Sequence, residues 1–370
     1  MLSPPLPGRA AWALVAVSAL VLLDSQPASA GGWLPLPTGE IDRIAFGSCA
    51  KHWQPQPIWD QVIAAEPDLF LFIGDAIYAD TDGKTAWAVS EGHLRGEWNR
   101  LADKPEFQAA RAAMPFMATW DNHDYGTHAG GGEFELKRES QAAFLDFFGE
   151  PEDSERRRTG GIYDAKVLGP EGRRVQIILL DTKFFRSEPL RDPRSKVERL
   201  SEGVVGNYAP FNDPAATLLG EAQWAWLEQQ LHLPAEIRFI ASSTQIIPDQ
   251  KGMDEWGNFP HERQRLFDLI ASTAATGVVF LTGNVHFSEL SRYDGGVYPF
   301  YEFTSSGLTH VNLRYAAAPN DYRVAGPCEE VHFCLVEIDW WSDPAPALAL
   351  SAITLDGEAC YTNTLNLAAE

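Results

Sequence analysis

The stretch that most restricts what this chain can fold into is Asp68-Leu69-Phe70-Leu71-Phe72-Ile73, followed at once by Gly74-Asp75-Ala76-Ile77-Tyr78-Ala79-Asp80. Successive side chains of a strand point to opposite faces, so an apolar run without alternation predicts a strand buried on both faces, as in sheets flanked by helices. Asp75 then stands at the strand's carboxyl end. In open α/β sheets that edge is where ligands bind, and an acid there needs a partner, because burying an unpaired carboxylate is costly. A metal ion would serve, with Tyr78 offering a phenol three residues on. The plainer alternative is a loop Asp capping the next turn beside a half-buried aromatic.

The pattern recurs along the chain. Arg43 to Cys49 predicts a first strand, Pro57 to Glu66 a helix, and residues 90 to 113, broken near Asp103 to Pro105, two helices leading to a strand over Pro115 to Trp120. Each strand ends in polar residues: Ser48-Cys49, Gly74-Asp75, and Asp121-Asn122-His123-Asp124-Tyr125-Gly126. Parallel neighbours would bring these ends to one edge. A glycine-rich loop holding His128 follows, then a helix over Glu135 to Phe148 and an exposed charged cluster over Glu150 to Gly161. Strands are predicted over Val175 to Leu180, Ile237 to Gln245 and Val278 to Leu281, and helices over Glu221 to Leu233 and His261 to Ala275. Residues 187 to 219 are rich in Pro, Asn and Gly and lack periodicity, a length that is often functional or mobile. The last third turns to β at Tyr298 to Ser305, Val331 to Trp340 and Leu348 to Leu355. One domain of two abutting sheets, residues 31–370, is the simplest reading.

Residues 1–30 behave differently. Arg9 precedes the apolar run Ala10 to Leu23, and Ala28-Ser29-Ala30 supplies an AxA-type cleavage site, so a secretory signal cleaved after Ala30 is expected and the mature chain would be periplasmic or secreted. The apolar run is short for a membrane span, and no later segment is long and apolar enough to cross a bilayer. The formal charge of −22 repels nucleic acid and anionic lipid at long range, so no stable nucleic-acid complex is expected. For an enzyme acting on phosphate esters that sign requires local cations, metal ions above all. The four cysteines first suggest two disulfides in an oxidising compartment. Cys49 ends a strand far from the others. As a ligand it leaves one pair, Cys328 with Cys334 or Cys360.

Four strand ends thus carry Cys49, Asp75 with Tyr78, Asp121-Asn122-His123-Asp124, and Asn284-Val285-His286. Thiolate and phenolate are strong anionic donors that deprotonate readily beside a highly charged ion, which makes ferric iron the natural candidate. Asp75, with two oxygens, can bridge to a second ion, and two ions about 3.5–4 Å apart would hold a phosphoryl group and supply hydroxide as nucleophile.

At these residues the chain resembles the alkaline phosphatase D (PhoD-like) branch of the metallophosphoesterases. The matching pieces are FGSC at 46–49, FIGDAIYAD at 72–80, WDNHDYG at 120–126, LDTKFFR at 180–186, SSTQ at 242–245, NFPHERQ at 258–264 and LTGNVHFSEL at 281–290. The resemblance implies an α/β fold, a four-layer metallophosphoesterase sandwich of two mixed β-sheets flanked by helices. It implies a ferric ion held by Cys49, Tyr78 and His286, with Asp75 bridging to at least one divalent ion, calcium in the best-known members; neutral Asn122 and Asn284 with the His128 nitrogen turn the expected preference towards Mn or Zn over Ca. The second metal would use Asn122, His128 and Asn284. His123 would be the general acid to the leaving oxygen, and Arg186 would face the substrate phosphate, where a planar donor fork suits. The implied activity is that of an exported phosphoric ester hydrolase, monoesterase or diesterase, acting on small-molecule or polymer esters. The chain departs from the family where it has Asn122, His128 and Asn284, all of them at the second metal. About a dozen residues separate Ala30 from the first core strand, so the family's separate amino-terminal β-sandwich is expected to be missing. The rival is a secreted phosphate- or metal-binding protein without turnover, suggested by neutral Asn284 in a carboxylate position.

Overall fold

A computed structural model describes residues 32–128 and 130–367. The expected signal segment lies outside the described residues. Among the described residues thirteen strands form two sheets: β1 (Arg43–Gly47), β2 (Leu69–Ile73), β3 (Phe116–Thr119), β4 (Asp164–Leu168), β5 (Val175–Leu179), β6 (Ile237–Ser242), β7 (Val278–Thr282), β8 (Ser288–Tyr293), β9 (Phe300–Ser305), β10 (Arg323–Cys328), β11 (His332–Asp339), β12 (Ala347–Thr354) and β13 (Ala359–Asn366). The first sheet has the order β13-β12-β11-β1-β2-β3, the second β10-β8-β9-β7-β6-β5-β4. Both are mixed. β1, β2 and β3 run parallel, as do β5, β6, β7 and β9, with antiparallel strands beside each parallel group.

The apolar run that opened the sequence reading explains the layering. Leu69, Leu71 and Ile73 point into the core between the sheets, where they meet Ile177, Leu179, Phe239 and Leu281. Phe70 and Phe72 point the other way, into a cluster with Trp59, Trp98, Phe107 and Phe144 from the helices Ile58–Ala64, Glu91–Ala102, Pro105–Ala113 and Lys137–Phe147. The outer face of the second sheet is covered in the same manner by Gly220–Leu231 and Pro260–Ser272, through Trp224, Leu227, Leu266 and Phe267. Helix, sheet, sheet and helix make the four layers expected. Each fully buried Leu or Phe contributes about 1.5–3 kcal/mol over exposure, which is why both faces of β2 are apolar.

Four strands escaped the sequence reading. β8 reads Ser-Glu-Leu-Ser-Arg-Tyr and lacks apolar periodicity, because its buried Glu289 is satisfied by Lys251 and Gln245, both at 2.9 Å, and Arg323 at 2.6 Å. β10 contains Gly326-Pro327, and β4 and β13 are outermost strands with alternating exposure. Within 187–219 a six-residue helix, Lys196–Ser201, is started by a Ser195/Glu198 capping box, and another short helix, Leu313–Ala316, follows β9. Cys328 pairs with Cys360, joining β10 of one sheet to β13 of the other, while Cys334 is a buried free thiol.

Candidate metal centre

The parallel strands of both sheets end on one edge, and their loops touch there. Gly74 and Gly283 make the approach feasible: a Cβ at Gly74 would lie 2.6 Å from the Asp121 Cβ, and one at Gly283 would lie 2.5 Å from the Ser48 Oγ. Ser48 Oγ donates to Ser305 O at 2.9 Å, and Thr119 Oγ1 to Leu180 O at 2.7 Å, tying one sheet to the other beneath the loops.

Among the described residues six non-glycine residues have positive φ, and four of them are Cys49 (63°), Asp75 (53°), Asn284 (70°) and His286 (61°). An L-residue held in that region costs on the order of 1–3 kcal/mol, and such strain gathers at functional sites. The distortion brings three of these side chains together. Cys49 Sγ, a carboxylate oxygen of Asp75 and a ring nitrogen of His286 all lie within 4.8 Å of one another. The buried Tyr78 hydroxyl beside them has no hydrogen-bond partner among the described residues. Burial, with Asp75 adjacent, pushes the Cys49 thiol well above its ordinary value; burial, with Cys49 and Asp75, does the same to Tyr78. Asp75 is pushed up to about 7 by burial, against the pull of His123, and His286 is driven well below its usual range by burial and then by His310. Buried acids that resist ionisation, beside an imidazole kept neutral, are what a site for a multivalent cation looks like without its charge.

The 121–128 loop closes one side. Asp124 is structural: its carboxylate takes the backbone N–H of Asp75 at 2.6 Å, Ile77 at 2.9 Å and Asp121 at 2.9 Å, binding two loops together. His123 stacks on Tyr78 with centroids 4.1 Å apart, and its Nδ1 lies 2.5 Å from Asp80 Oδ1. Burial disfavours the charged ring, but Asp75, Asp80 and Asp121 outweigh it, so His123 titrates above its ordinary value. Asn122 Nδ2 donates to His128 Nδ1 at 3.2 Å, leaving the Asn122 carbonyl oxygen uncommitted. With Nδ1 turned to Asn122, Nε2 is the His128 nitrogen left for a ligand or a hydrogen bond. Asn284 Nδ2 donates to Asp254 O at 3.0 Å, and Asn122, Asp254 and Asn284 line one cavity.

Arg186 departs from its expected place. It is 1% exposed, paired with Asp254, and donates from Nη2 to Gly130 O at 2.6 Å. A guanidinium this deep requires a carboxylate, and Asp254 serves both Arg186 and Lys183, the latter at 2.7 Å. Burial would raise the Asp254 pKa, but Arg186 and Lys183 win and hold it far below the carboxylate range. Arg186 therefore props Asp254 from behind instead of facing a ligand.

Several residues of this edge were not singled out in the sequence. Asp80 lies inside the quoted FIGDAIYAD and Lys183 inside LDTKFFR, so both were in view without a role. Ser306 donates to Cys49 Sγ at 3.1 Å. His310, five residues past β9, sits 4.4 Å from His286 between ring centroids, with a buried Nε2 lacking a hydrogen bond among the described residues. Its position after a parallel strand, at the same edge, was the available signal.

A family model, PhoD-like phosphatase, matches residues 44–329. The chain belongs to the PhoD-like phosphatase family. Alkaline phosphatase D of Bacillus subtilis (strain 168) is 25% identical over 325 residues, which cover 74% of this chain and 50% of that protein. The chain thus spans about half the length of this curated relative. Among solved structures, that of PhoD superposes with a TM-score of 0.64 at 18% identity, covering 90% of this chain and 74% of that one. GAP50, the anchor in the inner membrane complex of Plasmodium, gives 0.53 at 12% identity with 90% of each chain covered. Both likenesses concern the fold, and a fold shared by a phosphatase and an anchor leaves the activity of a PhoD-like chain to be argued from its site.

Proposed function

We propose that the chain is an exported, metal-dependent phosphoric ester hydrolase acting on monoesters or diesters. The observation that carries this reading is the group of Cys49, Asp75 and His286 donor atoms within 4.8 Å of one another, beside a buried Tyr78 hydroxyl with no partner among the described residues. Cys49, Tyr78 and His286 would hold ferric iron, since thiolate and phenolate suit a hard, highly charged ion. Asp75 would bridge to a divalent ion reached by the carbonyl oxygens of Asn122 and Asn284. When bound, the ions would supply Lewis-acid polarisation of the phosphoryl group and acidification of a water.

The chain's own residues do the rest. His123, held at Nδ1 by Asp80, presents Nε2 as proton donor to the departing alcohol. His128 lines the same opening, where its Nε2 would meet the divalent ion or a phosphate oxygen. Ser306 keeps the Cys49 sulfur aimed by its hydroxyl. Export is supported by the pattern of residues 1–30 and by the Cys328–Cys360 disulfide, a bond that persists in oxidising compartments. Among the described residues no helix is long and apolar enough to cross a membrane.

The test is metal analysis and a visible spectrum of the purified protein, with turnover of p-nitrophenyl phosphate and bis-p-nitrophenyl phosphate. Bound iron, a phenolate-to-iron band lost in Tyr78→Phe, low iron occupancy in Cys49→Ser and turnover of at least one ester are expected. A colourless active enzyme containing only zinc would refute the iron assignment. Bound metal without turnover of either ester would leave a binding protein.

A further inference from the structure

Beside the candidate centre the charge of the molecule changes sign. The 187–219 segment and the turn after β9 enclose a cavity of ≈ 320 Å³ whose wall includes Lys196, Arg199 and Arg314 and no acidic side chain. In a chain of 51 Asp and Glu against 29 Lys and Arg, three cations without a carboxylate make a local reversal of the field. Arg199 is 9% exposed and fixes the wall, donating to Gly206 O, Arg194 O and Asn207 Oδ1 at 2.7–2.8 Å. Lys196 and Arg314 are different. Both are exposed, and neither side chain enters an ion pair or hydrogen bond among the described residues. The nearby acids are already engaged: Asp192 and Glu202 with Arg194, and Glu198 with the backbone N–H of Ser195.

The cavity also adjoins the centre. Asn207 and Tyr315 are common to its wall and to the cavity of Asn122, Asp254 and Asn284. Asn312 is common to its wall and to the opening lined by Tyr78, His123 and His286, and the Asn312 N–H donates to His286 O at 2.8 Å. An anion in this cavity would lie beside one at the centre.

We propose that this cavity binds a second phosphate of the substrate, so that the ester cleaved carries another phosphate next to the scissile one. The proposal rests on the hydrolase reading above. An ammonium and a planar guanidinium, neither with a partner among the described residues, line one cavity in which an oxyanion would be met by charge-assisted hydrogen bonds, and the fixed Arg199 adds its charge to the same wall. The second phosphate can come from a bisphosphorylated small molecule or from the next link of a phosphodiester chain.

The matched probes are thymidine 5′-(p-nitrophenyl phosphate) and the same ester with a 3′-phosphate, which differ only in the second phosphate. For the unmodified, metal-loaded protein, KM should be roughly tenfold lower for the bisphosphate, as a pair of partly exposed charge-assisted contacts allows. The double variant Lys196→Ala/Arg314→Ala should remove that advantage while leaving kcat for both esters and KM for the single phosphate unchanged. Both positions are exposed, so the variant should fold, and the single-phosphate ester monitors that. A thymidine hexamer 5′-capped with p-nitrophenyl phosphate separates the sources: an advantage for the chain but not the bisphosphate assigns the cavity to an inner phosphate. Equal KM values for all three esters, or a double variant that weakens them all alike, would overturn the proposal. Calorimetric titration with thymidine 3′,5′-bisphosphate against thymidine 5′-phosphate asks the same question without turnover. Absent turnover would refute the hydrolase reading, whereas equal affinities would refute the second subsite.

Discussion

Two clusters of buried polar groups lie in this molecule, and they are built in opposite ways. Beneath β8 and β9, Glu289 takes Gln245, Lys251 and Arg323 on its two oxygens, while Glu302 takes the N–H groups of Ile246 and Ile247 and the hydroxyls of Thr282 and Thr304. Every carboxylate oxygen there has a partner from the chain itself. At the edge of the parallel strands, the Tyr78 hydroxyl, Asp121 Oδ2 and His310 Nε2 have none among the described residues, and four backbones are held at positive φ. A buried polar group left unpaired costs about 1–3 kcal/mol; Gln245 Oε1 is such an atom in the first cluster, whereas at the edge three of them stand beside four strained backbones. The satisfied cluster is architecture, and the unsatisfied one is a site.

Substitutions should separate the two. His123→Ala, on the open side, is expected to retain metal and stability and to lose about 10²–10⁴ in turnover of an alkyl ester, with a smaller loss for good leaving groups; an effect below about tenfold would remove His123 from the acid role. Glu289→Ala, on the closed side, leaves Lys251 buried and Arg323 half-buried without their carboxylate and should cost about 3–5 kcal/mol in denaturant unfolding. A Glu289→Ala protein that unfolds like the parent would dissolve the distinction.

A pH effect comes next in size. His332 is buried, accepts the Ser306 N–H at 3.3 Å on Nε2 and bonds Glu330 O at 2.7 Å through Nδ1. Burial lowers its pKa from 6.5 to about 4, although the Glu330 carbonyl pulls the other way. Between those values the unfolded chain binds the proton and the folded one does not, so stability is complete above pH 6.5 and falls as pH drops towards 4, by on the order of 3 kcal/mol from this group. His332→Gln should flatten that part of the pH profile relative to the parent, and parallel profiles would show that other groups set it.

The smaller effects probe the open cluster itself. Tyr78→Phe deletes an unpartnered hydroxyl, so the metal-free protein should be unchanged or stabilised by about 1 kcal/mol even as the iron band disappears. A clear loss of metal-free stability would mean that the hydroxyl is paired after all. Asn284→Asp should raise calcium affinity by adding charge beside an Asp254 already neutralised by Lys183 and Arg186. Activity of the parent should survive a calcium-selective chelator at controlled free zinc and manganese, and a need for micromolar calcium would show that other oxygens supply the charge.

Much of this was legible in the sequence because it depends on local pattern. The unbroken apolar run of β2 required cover on both faces, and the polar tails of β1, β2, β3 and β7 marked one edge. Cys49, Asp75, Asn122, His123, Asn284 and His286 could be named because each sits two to four positions beyond a strand that periodicity reveals, with Tyr78 one position further. Four strands were hidden: β8 because its buried Glu289 is satisfied by partners far along the chain, β10 because it holds Gly326-Pro327, and β4 and β13 because they are outermost strands with alternating exposure. The same limit decided the remaining questions. Cys328 could pair with Cys334 or Cys360 in sequence, and only the packing of β10 against β13 brings the Cys360 sulfur to it. Arg186 looked like a phosphate fork until Asp254, 68 residues on, was found against it. The cationic cavity joins residues of 187–219 to Arg314, which no spacing relates. Short-range periodicity is set by backbone geometry and is written in consecutive residues, whereas the pairing of a charge is set by which loops the sheets bring together, and that belongs to the tertiary structure alone.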